Sequence, residues 1–275
     1  MFTLNCKGRL LSFEEPIIMG IMNTTPDSFY PGSRINDTDA ILFKAEQMIS
    51  EGATIIDIGG QSTRPNSSRV TADEELARVI PHIEALSKRF PELIISIDSF
   101  YAAVVIEASA AGASIVNDVS AGTIDEAMFT TVARLKLPYV LMHMQGDPQT
   151  MQKNPTYENV TLDVFDFLSF KIKQLEELGV NDIIIDPGFG FGKTAAHNFR
   201  LLKTLSFFQE LERPILVGLS RKATVYKTLG IKAEDALNGT SVLNTAALLN
   251  GANILRVHDV KAAREAIILT RALMQ

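Results

Sequence analysis

Several features that would point to other classes of protein are scarce or missing in this 275-residue sequence. Its only cysteine is Cys6, so no disulfide can form within the chain and a reducing compartment is expected. The formal net charge is -6 and no long basic run occurs, which argues against nucleic acid or an acidic membrane surface as the main partner. There is no signal-peptide pattern and no apolar run near the roughly 20 residues of a membrane helix. We therefore expect a soluble, cytoplasmic protein.

Two common catalytic patterns are also absent. No Cys or His cluster has the spacing of zinc ligands, and no G-x-S-x-G elbow occurs, so covalent catalysis by serine or cysteine is not expected. In contrast, hydrophobic residues make up 46% of the chain and charged residues 21%, which allows a sizeable ordered core. Local Arg and Lys residues would suffice to bind a small anionic molecule.

Short apolar runs alternate with helical patterns along most of the chain. The start, 1–11, is compatible with a hairpin that caps one end of a barrel. Eight apolar runs follow, at 17–22, 54–58, 93–97, 114–116, 139–142, 183–186, 215–217 and 254–258. Helices are predicted between and after them, over 37–52, 71–89, 101–111, 125–135, 157–178, 195–211, segments up to Asn250, and 260–273.

Nearly continuous apolar strands are typical of a parallel sheet that is covered on both faces. Eight strand–helix units in this length predict an α/β fold of the (β/α)8 TIM-barrel type. A doubly wound open sheet is the alternative, but the even spacing of the units favours a closed barrel. No linker divides the chain, so residues 1–275 are predicted to form a single domain.

The active site of such a barrel lies at the carboxyl ends of its strands. The side chains predicted there are mostly amides, carboxylates and cations: Asn23, Asp57, Asp98, Asn117, Met142, Asp186, Lys222, Arg256 and His258. This set suits hydrogen bonding to a ring with alternating donors and acceptors. Any one strand-end Asp is as readily explained as a helix cap or turn residue, and His143, between two Met residues, is more readily a core or supporting histidine. His82 and His197 are interpreted as surface residues.

Three of these residues indicate anion and metal binding. Arg256 and His258 alternate along a strand end and therefore point the same way, as an anion site requires. Asn23 offers an oxygen donor that could hold one Mg²⁺ together with water molecules.

The run 183–193 ends a buried strand at Asp186 and continues into a Gly-rich loop. A phosphate loop of the G-x-x-x-x-G-K-[ST] type would need Gly where Pro187 stands, and the dinucleotide pattern would need Gly where Lys193 stands. The loop glycines allow close approach of the backbone to a flat ligand, and Phe189 and Phe191 offer ring faces. We interpret the loop as a wall of a heterocycle pocket, with Asp186 at the edge of the ring.

Seven motifs in the same order resemble those of the dihydropteroate synthase family and span nearly the whole chain. They cover residues 19–29, 59–65, 117–118, 142–146, 186–193, 220–222 and 256–259. The resemblance implies a (β/α)8 transferase of folate biosynthesis, a pterin-binding enzyme of the class that sulfonamides target. It would join 6-hydroxymethyl-7,8-dihydropterin diphosphate to p-aminobenzoate, with Mg²⁺, and release 7,8-dihydropteroate and diphosphate.

The resemblance also implies roles for individual residues. Asp98, Asn117, Asp186 and Lys222 would bind the pterin, in a slot lined by Met142, Phe191 and Gly218. Asn23 would bind the metal beside the diphosphate, which Thr63, Arg256 and His258 would hold. Phe29, Arg64, Pro65 and Lys222 would complete the p-aminobenzoate site. Asp98, Asp186, Lys222 and Arg64 are the residues expected to be catalytic, and the family implies a homodimer.

The sequence departs from the family pattern at four places, none of them in the pterin or diphosphate set. Gln61 stands where Glu is expected, Asn66 where Gly is usual, Ala223 where Ser is frequent, and residues 30–32 differ from the commoner form of the first loop. These departures concern the affinity for p-aminobenzoate and loop closure. The alternatives are a methyltetrahydrofolate:corrinoid methyltransferase, a non-catalytic pterin-binding paralogue, and a barrel enzyme acting on sugar phosphates.

Overall fold

The computed structural model describes residues 2–24, 34–61, 69–146, 151 and 155–274. Eight strands form one parallel sheet: β3 (Ile17–Asn23), β4 (Ile55–Gly59), β5 (Ile94–Asp98), β6 (Ile115–Asp118), β7 (Tyr139–Met142), β8 (Ile183–Asp186), β9 (Leu216–Val217) and β10 (Ile254–Val257). They lie in the order β8-β7-β6-β5-β4-β3-β10-β9, and a parallel bridge between Ile185 and Ile215 joins the two ends. The predicted (β/α)8 barrel is therefore confirmed, and the open sheet is wrong.

The barrel closes between β8 and β9, and β9 is the shortest strand of the sheet. β9 contains two residues, and the amide of Ile185 donates to the carbonyl oxygen of Pro214 at 2.9 Å. Pro214 has no N–H to return such a bond. The ladder between these two strands is consequently sparse.

Helices cover the outside of the barrel: α1 (Arg34–Ser50), α2 (Ala72–Arg89), α3 (Ala102–Ala111), α4 (Met128–Leu135), α5 (Val160–Glu177), α6 (Ala195–Lys203), α7 (Ala223–Leu229), α8 (Leu237–Leu249) and α9 (Val260–Met274). One prediction is wrong in extent, since the helix expected over 195–211 ends at Lys203 and continues as a 3₁₀ segment, Leu205–Leu211. Between the two, the Thr204 hydroxyl bonds to the carbonyl oxygen of Arg200 and to Thr161, and such side-chain bonds compete with regular helix. Within the described residues, no helix is long and apolar enough to cross a membrane.

A hairpin closes the amino-terminal end of the barrel, as the start of the sequence suggested. Strands β1 (Thr3–Cys6) and β2 (Arg9–Ser12) pair antiparallel. Their buried side chains Leu4, Cys6 and Leu11, with Phe13, pack against residues at the strand starts, including Ile17, Ile94 and Ile115. The floor of the barrel is apolar and filled, so polar inward-facing residues occur only toward the other end.

Strand alternation separates two apolar layers. On β4, Ile56 and Ile58 belong to the layer beneath the helices, whereas Ile55 belongs to the barrel interior. Because successive side chains point to opposite faces, Asp57 and Gly59 face the interior with Ile55. The same alternation directs the last inward residue of each strand to the open mouth.

Candidate active site

The strand ends bring the predicted polar side chains together at the barrel mouth. Asn23, Asp98, Met142 and Asp186 are the last residues of their strands, Asn117 is the penultimate residue of β6, and Gly218 directly follows β9. Most of these residues are buried, whereas Asn23, Lys222 and Arg256 are half-buried and His258 is exposed. The convergence that the barrel fold predicted is thus observed.

One guanidinium links the residues of three strands. Arg256 Nε lies 2.7 Å from Asp57 Oδ2, and its Nη2 lies 2.5 Å from Asp98 Oδ2. The same oxygen of Asp57 accepts a bond of 2.9 Å from Asn117 Nδ2. Burial raises the pKa of Asp98 to about 7, against the opposing effect of Arg256, and the nearby Asp57 raises it further. Asp98 therefore loses its proton near neutral pH in the absence of ligand.

Asp186 and Lys222 form the second charged element. Asp186 Oδ1 accepts a 2.7 Å bond from the amide of Gly188, and burial raises the pKa of its carboxyl while Lys222 opposes that shift. Burial lowers the pKa of Lys222 to about 8, and Asp186 opposes this change in turn. Lys222 Nζ donates to the carbonyl oxygen of Phe189 at 2.5 Å and lies 4.5 Å from the centroid of the Phe191 ring. A carboxylate and an ammonium thus stand beside an aromatic face.

The space around these charges is narrow and partly apolar. A Cβ on Gly190 would lie 3.3 Å from Lys222 Cδ, and one on Gly218 would lie 3.8 Å from its Nζ. Met142 and Phe191 belong to an apolar cluster with Phe100, Val119 and Met151. Apolar faces with polar groups at the edge suit a flat heterocycle.

Next to Arg256, the end of β10 presents a histidine to the solvent. The Ser220 hydroxyl lies 3.1 Å from His258 Nδ1 and accepts from the His258 amide at 3.2 Å. These contacts orient the exposed ring and engage its Nδ1, so that Nε2 faces away from Ser220. Arg256 and His258 can together contact an anion at the mouth.

Asn23 is half-buried at the end of β3 and is the candidate metal ligand. Among the described residues, no group of three His, Cys, Asp or Glu side chains could hold a metal. A single amide oxygen near an anion site fits Mg²⁺, since this ion usually keeps several water molecules and takes phosphate oxygens of the substrate. An ion that takes all of its ligands from protein side chains would not fit this site, where Asn23 is the one candidate ligand named.

Four predicted site residues, Phe29, Thr63, Arg64 and Pro65, lie outside the described residues, as do Asn66 and residues 30–32. The edge of the second loop is described: Gln61 Oε1 accepts from the amide of Val70 at 2.8 Å. This contact requires only an acceptor oxygen, which Gln and Glu both provide. Ala223 is exposed as the first residue of α7.

Asp57 and Ser220 contact the site residues directly, yet the sequence assigned no role to either. Asp57 belongs to the strand-end set, but only the structure joins it to Arg256 and Asn117. The period-two pattern from Ile55 was the available signal, since it directs Asp57 inward. Arg221, inside a family motif, turns away from the mouth and binds Asp259 through two bonds.

The histidines follow the expectation in part. His143 is buried and contacts Lys193 behind the mouth, as expected for a supporting histidine. His82, on α2, and His197, on α6, are both half-buried and lie away from the mouth strands.

Comparison with known proteins gives consistent results over the whole chain. The family model described as pterin binding enzyme matches residues 19–258. The chain is 43% identical to the dihydropteroate synthase of Haemophilus influenzae over 271 residues, 98% of each chain. The crystal structure of Yersinia pestis dihydropteroate synthase with a sulfonamide drug has a TM-score of 0.93 at 41% identity, covering 99% of both chains. The solved structure of the Xanthomonas albilineans dihydropteroate synthase in complex with 7,8-dihydropteroate has a TM-score of 0.89 at 38% identity, covering 99% of this chain and 98% of the other.

The barrel, the polar mouth and the full-length similarity agree. The chain belongs to the pterin-binding enzyme family, as a transferase of its dihydropteroate synthase group in folate synthesis.

Proposed function

We propose that this chain joins 6-hydroxymethyl-7,8-dihydropterin diphosphate to p-aminobenzoate and releases diphosphate. The observation that carries the proposal is the placing of two charged elements side by side: Asp186 with Lys222 at a flat slot, and Arg256 next to His258 at its edge. The first suits a pterin ring and the second suits the diphosphate attached to it.

The pterin would lie between Met142, Phe191 and Gly218, with its polar edge toward Asp98, Asn117, Asp186 and Lys222. Breaking the C–O bond to the diphosphate leaves positive charge on a carbon attached to an electron-rich ring. Ionised Asp186 and Asp98 would stabilise that charge electrostatically, and their burial strengthens the effect. Because the carboxyl of Asp98 has a pKa of about 7 without ligand, the approach of a cationic ring would favour its ionised form.

Arg256, His258 and Thr63 would bind the departing diphosphate. The guanidinium of Arg256 is held by Asp57, so its position does not depend on the ligand. Asn23 would hold Mg²⁺, which when bound supplies Lewis-acid stabilisation of the negative charge on diphosphate oxygens. Arg256 and His258 act on the same charge through hydrogen bonds.

The amine of p-aminobenzoate is neutral at pH 7, so its attack needs no strong general base. Phe29, Arg64 and Pro65 would bind this substrate together with Lys222. Closure of their two loops would exclude water, which otherwise competes as the nucleophile.

The alternatives predict different requirements. A corrinoid methyltransferase would need neither the motif 62–65 nor the pair Arg256 and His258. A non-catalytic paralogue would be expected to lack Asn23, Arg64 or Lys222, and the sequence has all three. A barrel enzyme for sugar phosphates is disfavoured by the apolar slot around Met142 and Phe191.

We propose in addition a homodimer located in the cytoplasm. Exposed apolar side chains on α8 and α9 support the dimer: Val242, Leu249, Ile268, Leu269 and Leu273. The single buried cysteine, Cys6, agrees with a reducing compartment.

The test is an assay of diphosphate release by the purified protein with the pterin diphosphate and Mg²⁺, with and without p-aminobenzoate. Release that depends on p-aminobenzoate, with an equal amount of dihydropteroate, is the expected result. Lys222→Ala and Arg256→Ala should each abolish turnover while the circular-dichroism spectrum stays that of the parent. Wild-type rates in both variants would contradict the proposed roles.

A further inference from the structure

Lys193 is a buried lysine that has no role in the proposed reaction. Its side chain lies behind the Gly-rich loop 187–192, and 3% of the residue is exposed. Nζ contacts four acceptors: His143 Nδ1 at 2.9 Å, the carbonyl oxygen of Gly188 at 2.9 Å, that of Phe191 at 3.1 Å and that of His143 at 3.2 Å. Four protein acceptors surround this buried Nζ, so the lysine is not presented to a ligand as the phosphate-binding lysine of a nucleotide loop is.

These contacts suit the ammonium form. Three N–H donors face three carbonyl oxygens and one ring nitrogen, and a neutral amine would leave one more of these acceptors without a donor. Burial, followed by the charge of Lys193, lowers the pKa of His143 to about 2, so the ring is neutral and its Nδ1 can accept. Burial lowers the pKa of Lys193 well below its usual range and the charge of Lys222 lowers it further, while the carboxylate of Asp186 opposes the shift. The assignment of the ammonium form therefore rests on the four acceptors around Nζ. The ammonium takes the place that a metal ion would have in a cage of carbonyl oxygens.

The loop wound around this charge contacts the groups at the pterin edge. The amide of Gly188 donates to Asp186 Oδ1, and the carbonyl oxygen of Phe189 accepts from Lys222 Nζ. The carbonyl oxygens on either side of that contact, those of Gly188 and Phe191, are the ones that Lys193 holds. Displacing the loop would therefore move an acceptor of Lys222 and a donor to Asp186 together.

The loop packs tightly at this place, where Asn198 accepts from the Gly190 amide at 2.9 Å and Tyr157 donates to the Gly192 carbonyl oxygen at 2.8 Å. Gly188 has a φ of +73°, and a Cβ there would come within 1.8 Å of the carbonyl oxygen of His143. The backbones of the loop and of β7 are thus in direct contact, and Lys193 bonds to both sides of it.

We propose that Lys193 is a positioning residue of the pterin site, an internal cation that holds loop 187–192 so that Asp186 and Lys222 face the ring. This inference rests on the proposed function, since it concerns how the same slot recognises a pterin. The diphosphate end, with Arg256 and His258, makes no contact with this cage in the described part of the chain, and it should not depend on it.

The test separates the two ends of the substrate. Lys193→Met keeps the length of the side chain and removes the ammonium. We expect it to bind 6-hydroxymethylpterin at least about tenfold more weakly than wild type, the effect of one lost charged hydrogen bond. Inorganic diphosphate with Mg²⁺ should bind within about twofold of wild type. Calorimetry gives both constants, and Lys203→Met, at an exposed position on α6, is the matched control.

Unchanged pterin binding in Lys193→Met, or equal weakening of both ligands, would overturn the inference. If this variant does not fold, His143→Leu takes its place, because it removes one acceptor and leaves the three carbonyl oxygens; the same selective loss is expected. In a folded Lys193→Ala protein, n-propylammonium should restore part of the pterin affinity, and uncharged propanol should not. Wild-type protein that binds no pterin would contradict the proposed function itself, whatever the variants do.

Discussion

Arg256 lies between two carboxylates, and only one of them, Asp98, has a proposed contact with substrate. When a pterin binds Asp98, the contact between Arg256 and that carboxylate has to be shared with the ligand. The bond from Arg256 Nε to Asp57 is not subject to this competition. Asp57 is therefore the partner that keeps the guanidinium in place through the reaction.

Asp57→Asn should lower kcat/KM for the pterin diphosphate about tenfold to a hundredfold. The substitution keeps an oxygen acceptor but removes the charge from a buried hydrogen bond, a change worth about 1.5–3 kcal/mol. Steady-state kinetics with p-aminobenzoate at saturation measures it. Asp166→Asn, exposed on α5, is the control, and a wild-type kcat/KM in Asp57→Asn would show that Arg256 needs no second carboxylate.

Glu75, on α2, carries another buried carboxyl, whose oxygen accepts from the Ser99 hydroxyl at 3.0 Å. Burial raises its pKa to about 7, so the folded protein holds this proton to higher pH than the unfolded chain does. The stability that this gives is complete below the ordinary value of 4.5 and is lost as the pH rises to about 7.

Wild type should therefore lose stability as the pH rises from 5 to 8, and Glu75→Gln should not. The free energy of unfolding of the variant, relative to that of wild type, should rise by about 2–3 kcal/mol between the two pH values. Changes in the contact with Ser99 are present at both pH values and cancel in the comparison. Urea denaturation at the two pH values measures the gain, and the exposed Glu84→Gln should show none. A difference between Glu75→Gln and wild type that does not vary with pH would contradict the raised pKa.

For single residues, the sequence predicts which side chains lie at the barrel mouth better than it predicts which groups they bond to. Their positions at the ends of apolar runs predict that Asp98, Asn117 and Asp186 lie at the mouth. The sequence could not show that Asp57 binds Arg256, because these residues are 199 positions apart and meet only through the registers of β4 and β10 on β3, which lies between them. Lys193 belongs to an incomplete nucleotide motif and to the family motif 186–193, and neither pattern predicts the acceptors around its Nζ.

Among the elements, the hairpin β1–β2 has no part in the mouth, yet it completes the barrel interior. Its adjacent residues Leu10 and Leu11 differ sharply in environment, with 73% and 6% of each exposed. Strand alternation alone produces this difference.

Leu11→Ala should lower the free energy of unfolding by about 2–4 kcal/mol, since it leaves a cavity against the strand starts. Leu10→Ala, the same substitution one residue earlier, should change it by less than about 0.5 kcal/mol. Urea denaturation of both variants is the measurement. Equal effects would mean that the hairpin does not seal the barrel floor.

The elements themselves were largely predictable, because apolar runs and helical periods are local signals. The end of α6 was not, since the bonds from Thr204 to Arg200 and Thr161 involve a hydroxyl whose partner on α5 lies 43 residues away. The 3₁₀ segment that follows has the same apolar spacing as a helix, so periodicity could not distinguish them.

For the whole molecule, the eight strand–helix units predicted the barrel, while its assembly remains a proposal. If α8 and α9 form the dimer interface, Leu269→Glu should convert a dimer into a monomer. Leu269 is 70% exposed on α9 in the single chain, and a glutamate there would become a buried, unpaired charge in the dimer. Light scattering after size exclusion gives the mass. Phe170→Glu, also at an exposed apolar position but on α5, should leave the mass unchanged. A wild-type monomer would contradict the proposal.

The joint between β8 and β9 has a consequence for hydrogen exchange. Local opening of a protein occurs where few backbone bonds must break, so the amide of Ile185, which bonds across this joint to Pro214, should exchange faster than amides of the central strands β4 and β5. Asp186 and Lys222 stand on opposite sides of the same joint, and a pterin bound to both would span it. Ligand should then protect the Ile185 amide more than any amide of β4, so that the solvent exchange of one backbone proton reports the occupancy of the slot.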